Sequence, residues 1–239
     1  MSKQLTTEKN TTRKFYIDSA KGKDTNTGSS LESPWQTLNN INEMHLKPGD
    51  EVLLHRDSIF NDQYLHIQGS GDESSPIIIR PYGDGDKKPV INANGSGQWY
   101  QNYEQALDSG GHSVSNTVSS AILLRDVEYI EIYDLEITNS GPDGVKAYND
   151  IDVMCRTGVA VWAQNSGKLN HIILDGLYVH DIIGNVYEKT LANGGIVFSC
   201  GKAQDEEETG IPRFNNIKIQ NNIVERANRW GISFGYTAY

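Results

Sequence analysis

"IKIQNNIVERANRWGISFG" occupies residues 217–235. Isoleucine alternates at Ile217 and Ile219, the series steps to Asn222 and Val224, and a Gly-Ile pair opens a further alternating run at Ile232. The same i, i+2, i+5, i+7 spacing occurs twice upstream. "YIEIYDLEI" carries Ile130, Ile132, Leu135 and Ile137, and "HIILDGLYV" carries Ile172, Leu174, Leu177 and Val179. Period-2 alternation broken by one longer step predicts two short strands with a bend between them. The run that follows also recurs. "AILL" at Ile122, "GVAV" at Val159, "GIVF" at Ile196 and "GISF" at Ile232 are separated by 37, 37 and 36 residues.

The connections between these strands sharpen the inference. From the first run to the paired-strand pattern the offsets are 8, 13 and 21 residues, and from that pattern to the next run they are 22, 17 and 8. One corner lengthens as the other shortens, while the strands keep their spacing. Insertions confined to corners are what a coiled chain predicts, with each turn laying down two or three short parallel strands. Inward Ile, Val, Leu and Phe of one turn stack on those of the next. Asn222 falls where the neighbouring turns place Leu135 and Leu177, and an inward asparagine at a bend is expected to hydrogen-bond backbone groups.

The N-terminal half is less regular. "EVLLH", "YLHIQ", "SPIIIRPYG" and "PVINANG" each read as a strand closed by a turn. "SPWQTLNNINEMHL" reads as a helix near 34–46, with Ser33 as cap and Trp35, Leu38, Ile41 and Met44 at helical spacing. Such a helix would cover the open end of the stack. Residues 95–118 lack periodicity and read as a long loop. Residues 1–14 read as a disordered tail and 15–239 as one domain, with its coils running from about residue 50. Gly231–Gly235 opens a strand that only "YTAY" follows, so further coils and a cap are expected beyond this piece.

Composition narrows the function classes. The 239-residue chain has a net charge of −10, which argues against nucleic acid as partner. No apolar run reaches the ~20 residues of a membrane helix. The N-terminus lacks an apolar signal-peptide core, so the chain reads as cytosolic or as a mature or trimmed form. Two cysteines, Cys155 and Cys200, read as free thiols. There is no GxSxG, P-loop or HExxH motif.

"FYIDSAKGKDTNTGSSLESPWQTLNNINEMHLKPGDEVLLH" resembles the entry segment of bacterial proteins of the pectate-lyase-like superfamily, and "IKIQNNIVERANRWGI" resembles their generic coil. Asp57 in "HRDSIF" stands where that pattern usually has glycine. The resemblance implies a single-stranded right-handed parallel β-helix, all-β, with a short N-terminal capping helix. It also implies a secreted or periplasmic carbohydrate-active protein, monomeric at full length, with a polysaccharide or oligosaccharide as partner.

Outward positions on successive turns form columns about 4.8 Å apart. One column reads Thr138, His180, Glu225; the next reads Asn139, Asp181, Arg226; and within the preceding strand come Tyr133, Asp175 and Gln220. Glycoside hydrolysis needs two carboxyl groups, one of them protonated. Asp181 and Glu225 are the first candidates and Asp175 the reserve, with His180, Arg226, Arg229, Trp230 and Lys189 as substrate-binding residues. Repulsion between stacked carboxylates is expected to raise one pKa. Hydrolysis without a cofactor is preferred. Elimination from a uronic-acid polymer is the alternative, with Lys146, Lys189, Arg226 or Arg229 as base and, as the resemblance implies, Ca²⁺ assisting. A non-catalytic glycan-binding or adhesive protein is the third reading. Against a site stands the reading of His180 and Asp181 as ordinary surface-turn residues. Trp162 and Trp230 read either as sugar platforms or as packed side chains, and "DEEE" at 205–208 as a solvated loop tip.

Overall fold

The computed structural model describes residues 12–107, 111–141 and 154–239. Lys146 and residues 1–11 of the tail expected over 1–14 lie outside these, and Lys14, expected in the tail, opens the first strand. Three sheets account for nearly all the strands. The first contains β1 (Lys14–Ile17), β2 (Glu51–His55), β5 (Ile77–Tyr82), β9 (Ile130–Tyr133), β12 (Lys168–Asp175) and β15 (Arg213–Gln220), in that order. The second runs β3 (Ile59–Asn61), β6 (Val90–Asn92), β10 (Glu136–Asn139), β13 (Tyr178–Ile182) and β16 (Ile223–Ala227). The third runs β4 (Leu65–Ile67), β8 (Ser115–Arg125), β11 (Arg156–Ala163), β14 (Gly194–Cys200) and β17 (Trp230–Thr237), with β7 (Gln98–Asn102) antiparallel to β8.

All other strand pairs are parallel, and their registers join the residues that the repeat aligns. Ile130, Ile172 and Ile217 are mutual partners along the first sheet, Ile137, Val179 and Val224 along the second, and Ile122, Val159, Ile196 and Ile232 along the third. The chain visits the sheets in rotation, β12 to β13 to β14 and then β15 to β16 to β17. The interior is a set of apolar ladders. Phe15, Val52, Ile79, Ile132, Leu174 and Ile219 succeed one another in register across six strands. Each fully buried side chain of this kind contributes about 1.5–3 kcal/mol, and successive rungs share the burial.

The bends have a local cause. Asp134, Gly176 and Asn221 sit between the paired short strands with φ of 58°, 68° and 55°. Gly, Asn and Asp are the residues that enter this left-handed region at least cost. Asn222, next to the last bend, accepts from the Leu177 amide at 2.7 Å and donates to the Leu174 carbonyl at 2.9 Å, tying its turn to the one before.

Several expectations need correction. Of the expected β-helix the structure shows the all-β, parallel character, as three parallel sheets, and the left-handed bends redirect the chain from the first sheet into the second. The helix expected over 34–46 contracts to α1 (Asn39–Asn42), with Leu38 at its N-cap and no side-chain cap. Trp35 bridges Ile17 and stacks on Phe15 at 5.6 Å, while the Asp24 carboxylate accepts from the Gln36 and Thr37 amides, so the amides of residues 35–37 are taken by partners outside the helix. The long loop expected over 95–118 contains the β7–β8 hairpin, whose pairing runs from Gln98–Ser119 to Asn102–Ser115. Residues 206–209 form a one-turn helix, α2 (Glu206–Thr209), because the Asp205 carboxylate accepts from the Glu208 amide.

Candidate functional site

The outer face of the second sheet carries the expected carboxylates. Thr138, His180 and Glu225 are in register, as the repeat predicts. Of the column Asn139, Asp181, Arg226, only the Asp181–Arg226 step forms. The register shifts after Thr138, so that Asn139 pairs with Ile182 and Ile182 with Ala227. Asp181 is the extra residue relative to β10, and it and Arg226 opposite it have φ of 52° and 49°. A bulge of this kind re-aims a side chain. Asn139 is consequently buried, and its amide donates to Ser119 Oγ at 3.0 Å and to the Thr157 carbonyl at 3.1 Å.

The unshifted β13–β16 register keeps Asp181 and Arg226 side by side. Arg226 grips Asp181 through two hydrogen bonds, Nε to Oδ1 at 2.7 Å and Nη2 to Oδ2 at 3.0 Å, and also pairs with Glu225. His180 lies between two carboxylates, with Nδ1 2.7 Å from Asp181 Oδ2 and Nε2 3.1 Å from Glu136 Oε1. Tyr178 stacks on the His180 ring at 4.1 Å and donates its hydroxyl to Glu225 at 2.6 Å. Tyr178 and Glu136 were missed from the sequence, although they are in register with each other two residues before the Thr138–His180 pair, on the same outward face. The same alignment would have found them. Beside Glu136 opens a cavity of about 430 Å³ lined by Asp57, Asp86, Lys87 and Lys88.

The other predicted residues are not joined to this network. Asp175 is on the first sheet, where its carboxylate accepts from Gln220 at 2.9 Å and Asn221 at 2.8 Å. Arg229 donates to the Val186 carbonyl at 3.2 Å and lies over the half-buried Trp230 ring at 4.8 Å. Lys189 sits on the loop after β13 and makes no hydrogen bond to the network among the described residues. Trp162 is buried in the third sheet's outer cluster, which removes it as a sugar platform. Among the described residues no three His, Cys, Asp or Glu side chains gather as a metal-binding set, and no helix is long and apolar enough to cross a membrane.

The electrostatics reverse the expected pKa shift. Asp181 is lowered to about 2, first by the Arg226 hydrogen bonds and then by His180. Glu225 is lowered by the Tyr178 hydroxyl and then by Arg226. Arg226 outweighs the carboxylate–carboxylate repulsion because it bonds to both. A depressed carboxylate stabilises the fold fully above its unfolded pKa of about 4, and that contribution is lost as pH falls through the folded value. Stability is therefore expected to drop between pH 4 and 2, modestly, because the pair is exposed and screened. In Arg226→Ala, the Asp181 carboxyl should titrate nearer to 4, as followed by carbon NMR; a value still near 2 would assign the shift elsewhere.

No protein-family model matches the chain. It is 41% identical to a lacto-N-biosidase of Bifidobacterium longum subsp. longum, over 98% of this chain and 16% of that protein. The crystal structure of a GH136 lacto-N-biosidase from Eubacterium ramulus superposes with a TM-score of 0.90 at 43% identity, covering 95% of this chain and 36% of that one. The native form of the same enzyme matches with a TM-score of 0.89. A rhamnogalacturonan lyase shares the fold alone, with a TM-score of 0.51 at 13% identity. The chain thus spans about a third or less of the relatives it matches. These relatives overturn the pectate-lyase-like resemblance: the sequence similarity lies with lacto-N-biosidases, whereas the lyase is alike only in backbone course.

Proposed function

We propose that this chain is part of a glycoside hydrolase of the lacto-N-biosidase kind, acting on an oligosaccharide that carries a lacto-N-biose unit. The observation that carries this reading is 41% identity sustained over 98% of the chain. Hydrolysis takes precedence over elimination on the same ground. For the fold, the finer reading is one solenoid whose turns each pass through the three sheets. The rotation of strand order supports it, and the general preference of parallel crossovers would make it right-handed.

Within this reading, the Asp181–Glu225–Arg226 face positions the sugar. Two ionised carboxylates, an arginine and a tyrosine hydroxyl offer acceptors and donors of the kind that hydroxyl groups need. The depressed pKa values favour a role as acceptor or base over that of proton donor, which requires a carboxyl group held neutral.

The test is incubation with a lacto-N-biose-terminated oligosaccharide and with a uronic-acid polymer. The expected result is disaccharide release from the first, without absorbance from unsaturated uronates. Unsaturated products, or no release, would overturn the reading. Asp181→Asn and Glu225→Gln should each lower kcat/KM by about 10- to 100-fold, the loss of a charge-assisted hydrogen bond, with little change in melting because both side chains face solvent. Unchanged turnover in both would remove this face from the reaction.

A further inference from the structure

A second cavity, of about 560 Å³, opens on the outer face of the first sheet, well before the second-sheet network in chain order. Its floor is aromatic. Tyr82 meets Tyr16 edge-on at 5.2 Å and His55 edge-on at 5.1 Å, and Leu53 is buried beside them. Leu31, 59% exposed, stands at the rim. Unlike the aromatic cluster outside the third sheet, which the β7 hairpin covers, these half-buried tyrosines and the exposed leucine line an open cavity, a feature the core does not require.

The polar rim is nearly balanced in charge. Lys14 and Arg80 converge on Glu51, at 3.0 and 2.7 Å, which offsets one of their two charges, and Asp18 offsets the other. Asp18 is 4% exposed, and its Oδ1 accepts from the Ala20 and Lys21 amides at 2.9 and 3.0 Å. That leaves Lys21 and Asp84, one charge of each sign, and neither side chain has a hydrogen bond or ion pair among the described residues. The Tyr82 hydroxyl is pushed up to about 12, by burial first and then by Asp18 and Tyr16, and remains a donor at working pH.

We infer that this cavity is a saccharide-binding subsite for a neutral sugar, with its apolar face on the Tyr16–Tyr82–Leu53 floor and its hydroxyls on Lys21 and Asp84. Aromatic rings suit the C–H face of a pyranose, and paired donors and acceptors suit hydroxyls, each of which donates and accepts. An anionic sugar would call for an excess of cations, whereas Lys14, Arg80 and Lys21 are matched here by Glu51, Asp18 and Asp84. The inference rests on the glycosidase reading for the class of ligand alone.

The test is titration calorimetry of the chain with lacto-N-biose and, separately, with galacturonate trimer. Saturable binding of lacto-N-biose is expected, weakened about ten-fold in Tyr82→Ala, the loss of one aromatic contact. Lys21→Ala and Asp84→Ala, both rim changes, should each weaken it several-fold with an unchanged melting temperature, and they decide the matter if Tyr82→Ala does not fold. Tyr100→Ala, exposed on β7, should have no effect. Absence of saturable binding, equal affinity in the rim variants, or tighter binding of the trimer would overturn the inference. Hydrolysis with unchanged affinity in these variants would sink this subsite alone, whereas binding without hydrolysis would sink the glycosidase reading alone.

Discussion

Trp162→Ala is expected to destabilise the fold by about 3–5 kcal/mol, the range for emptying a large aromatic from a core. Trp162 is 1% exposed and belongs to a cluster on the outside of the third sheet, separate from the stacked interior. Its ring lies 5.8 Å from Trp99 and 4.9 Å from Tyr103. Trp99 is on β7, and Tyr103 follows it, so the tryptophan holds the hairpin against the sheet. Its indole N–H donates to Gln164 Oε1 at 3.1 Å, and Gln164 Nε2 donates onward to the Asn102 and Lys202 carbonyls at 3.2 and 3.1 Å. Truncation therefore leaves a cavity and also strips a buried amide oxygen of its donor, adding a penalty of its own. Urea unfolding would measure the total, and hydrogen exchange should show β7 losing protection before the ladders. Trp162→Phe should fall between alanine and the parent. A loss below about 1 kcal/mol in Trp162→Ala would mean that the site collapses without cost, against the contacts described.

The second large effect is expected from two glycines. Gly158 and Gly195 lie in β11 and β14, one step before the inward Val159 and Ile196. A Cβ on Gly158 would sit 2.5 Å from Val179 Cγ1 and 2.7 Å from the Gly195 carbonyl oxygen. On Gly195 it would sit 2.5 Å from the Gly231 carbonyl oxygen and press on Val224. Neither glycine has positive φ, so the requirement is steric and not conformational. The third sheet is drawn against the second at these positions, closer than any side chain permits. Alanine at either should cost about 1–3 kcal/mol through overpacking. Adding Val179→Ala to Gly158→Ala should not restore stability, because the backbone oxygen remains. Gly231→Ala, where nothing lies within 4 Å of the added carbon, is the matched control and should be near neutral. Equal melting of the Gly195 and Gly231 variants would refute the steric account.

The ladder registers were legible in the sequence alone. Period 2 gives each strand one buried face, and a one-residue slip would turn that face outward, so the spacing of Ile122, Val159, Ile196 and Ile232 sufficed to place them side by side. The bends at Asp134, Gly176 and Asn221 and the structural use of Asn222 were legible for a similarly local reason: residue types that tolerate left-handed backbone or bond to it stand at those positions. The tertiary structure decided the rest. Trp35, the first of the apolar residues at helical spacing, left the helix because Phe15 and Ile17, from another strand, offered a better surface. Residues 98–102 became a strand only because β8 extended beyond its parallel partners and left an edge to pair with. That Asp181 and Arg226 are neighbours was legible in the column, but the lowered Asp181 pKa was not, since it depends on the 2.7 and 3.0 Å contacts from Arg226 and on the His180 ring. Periodicity specifies which face is buried, whereas a pKa, a close approach of backbones or the fate of an amphipathic segment depends on distances of a few ångströms to groups that the chain delivers from elsewhere.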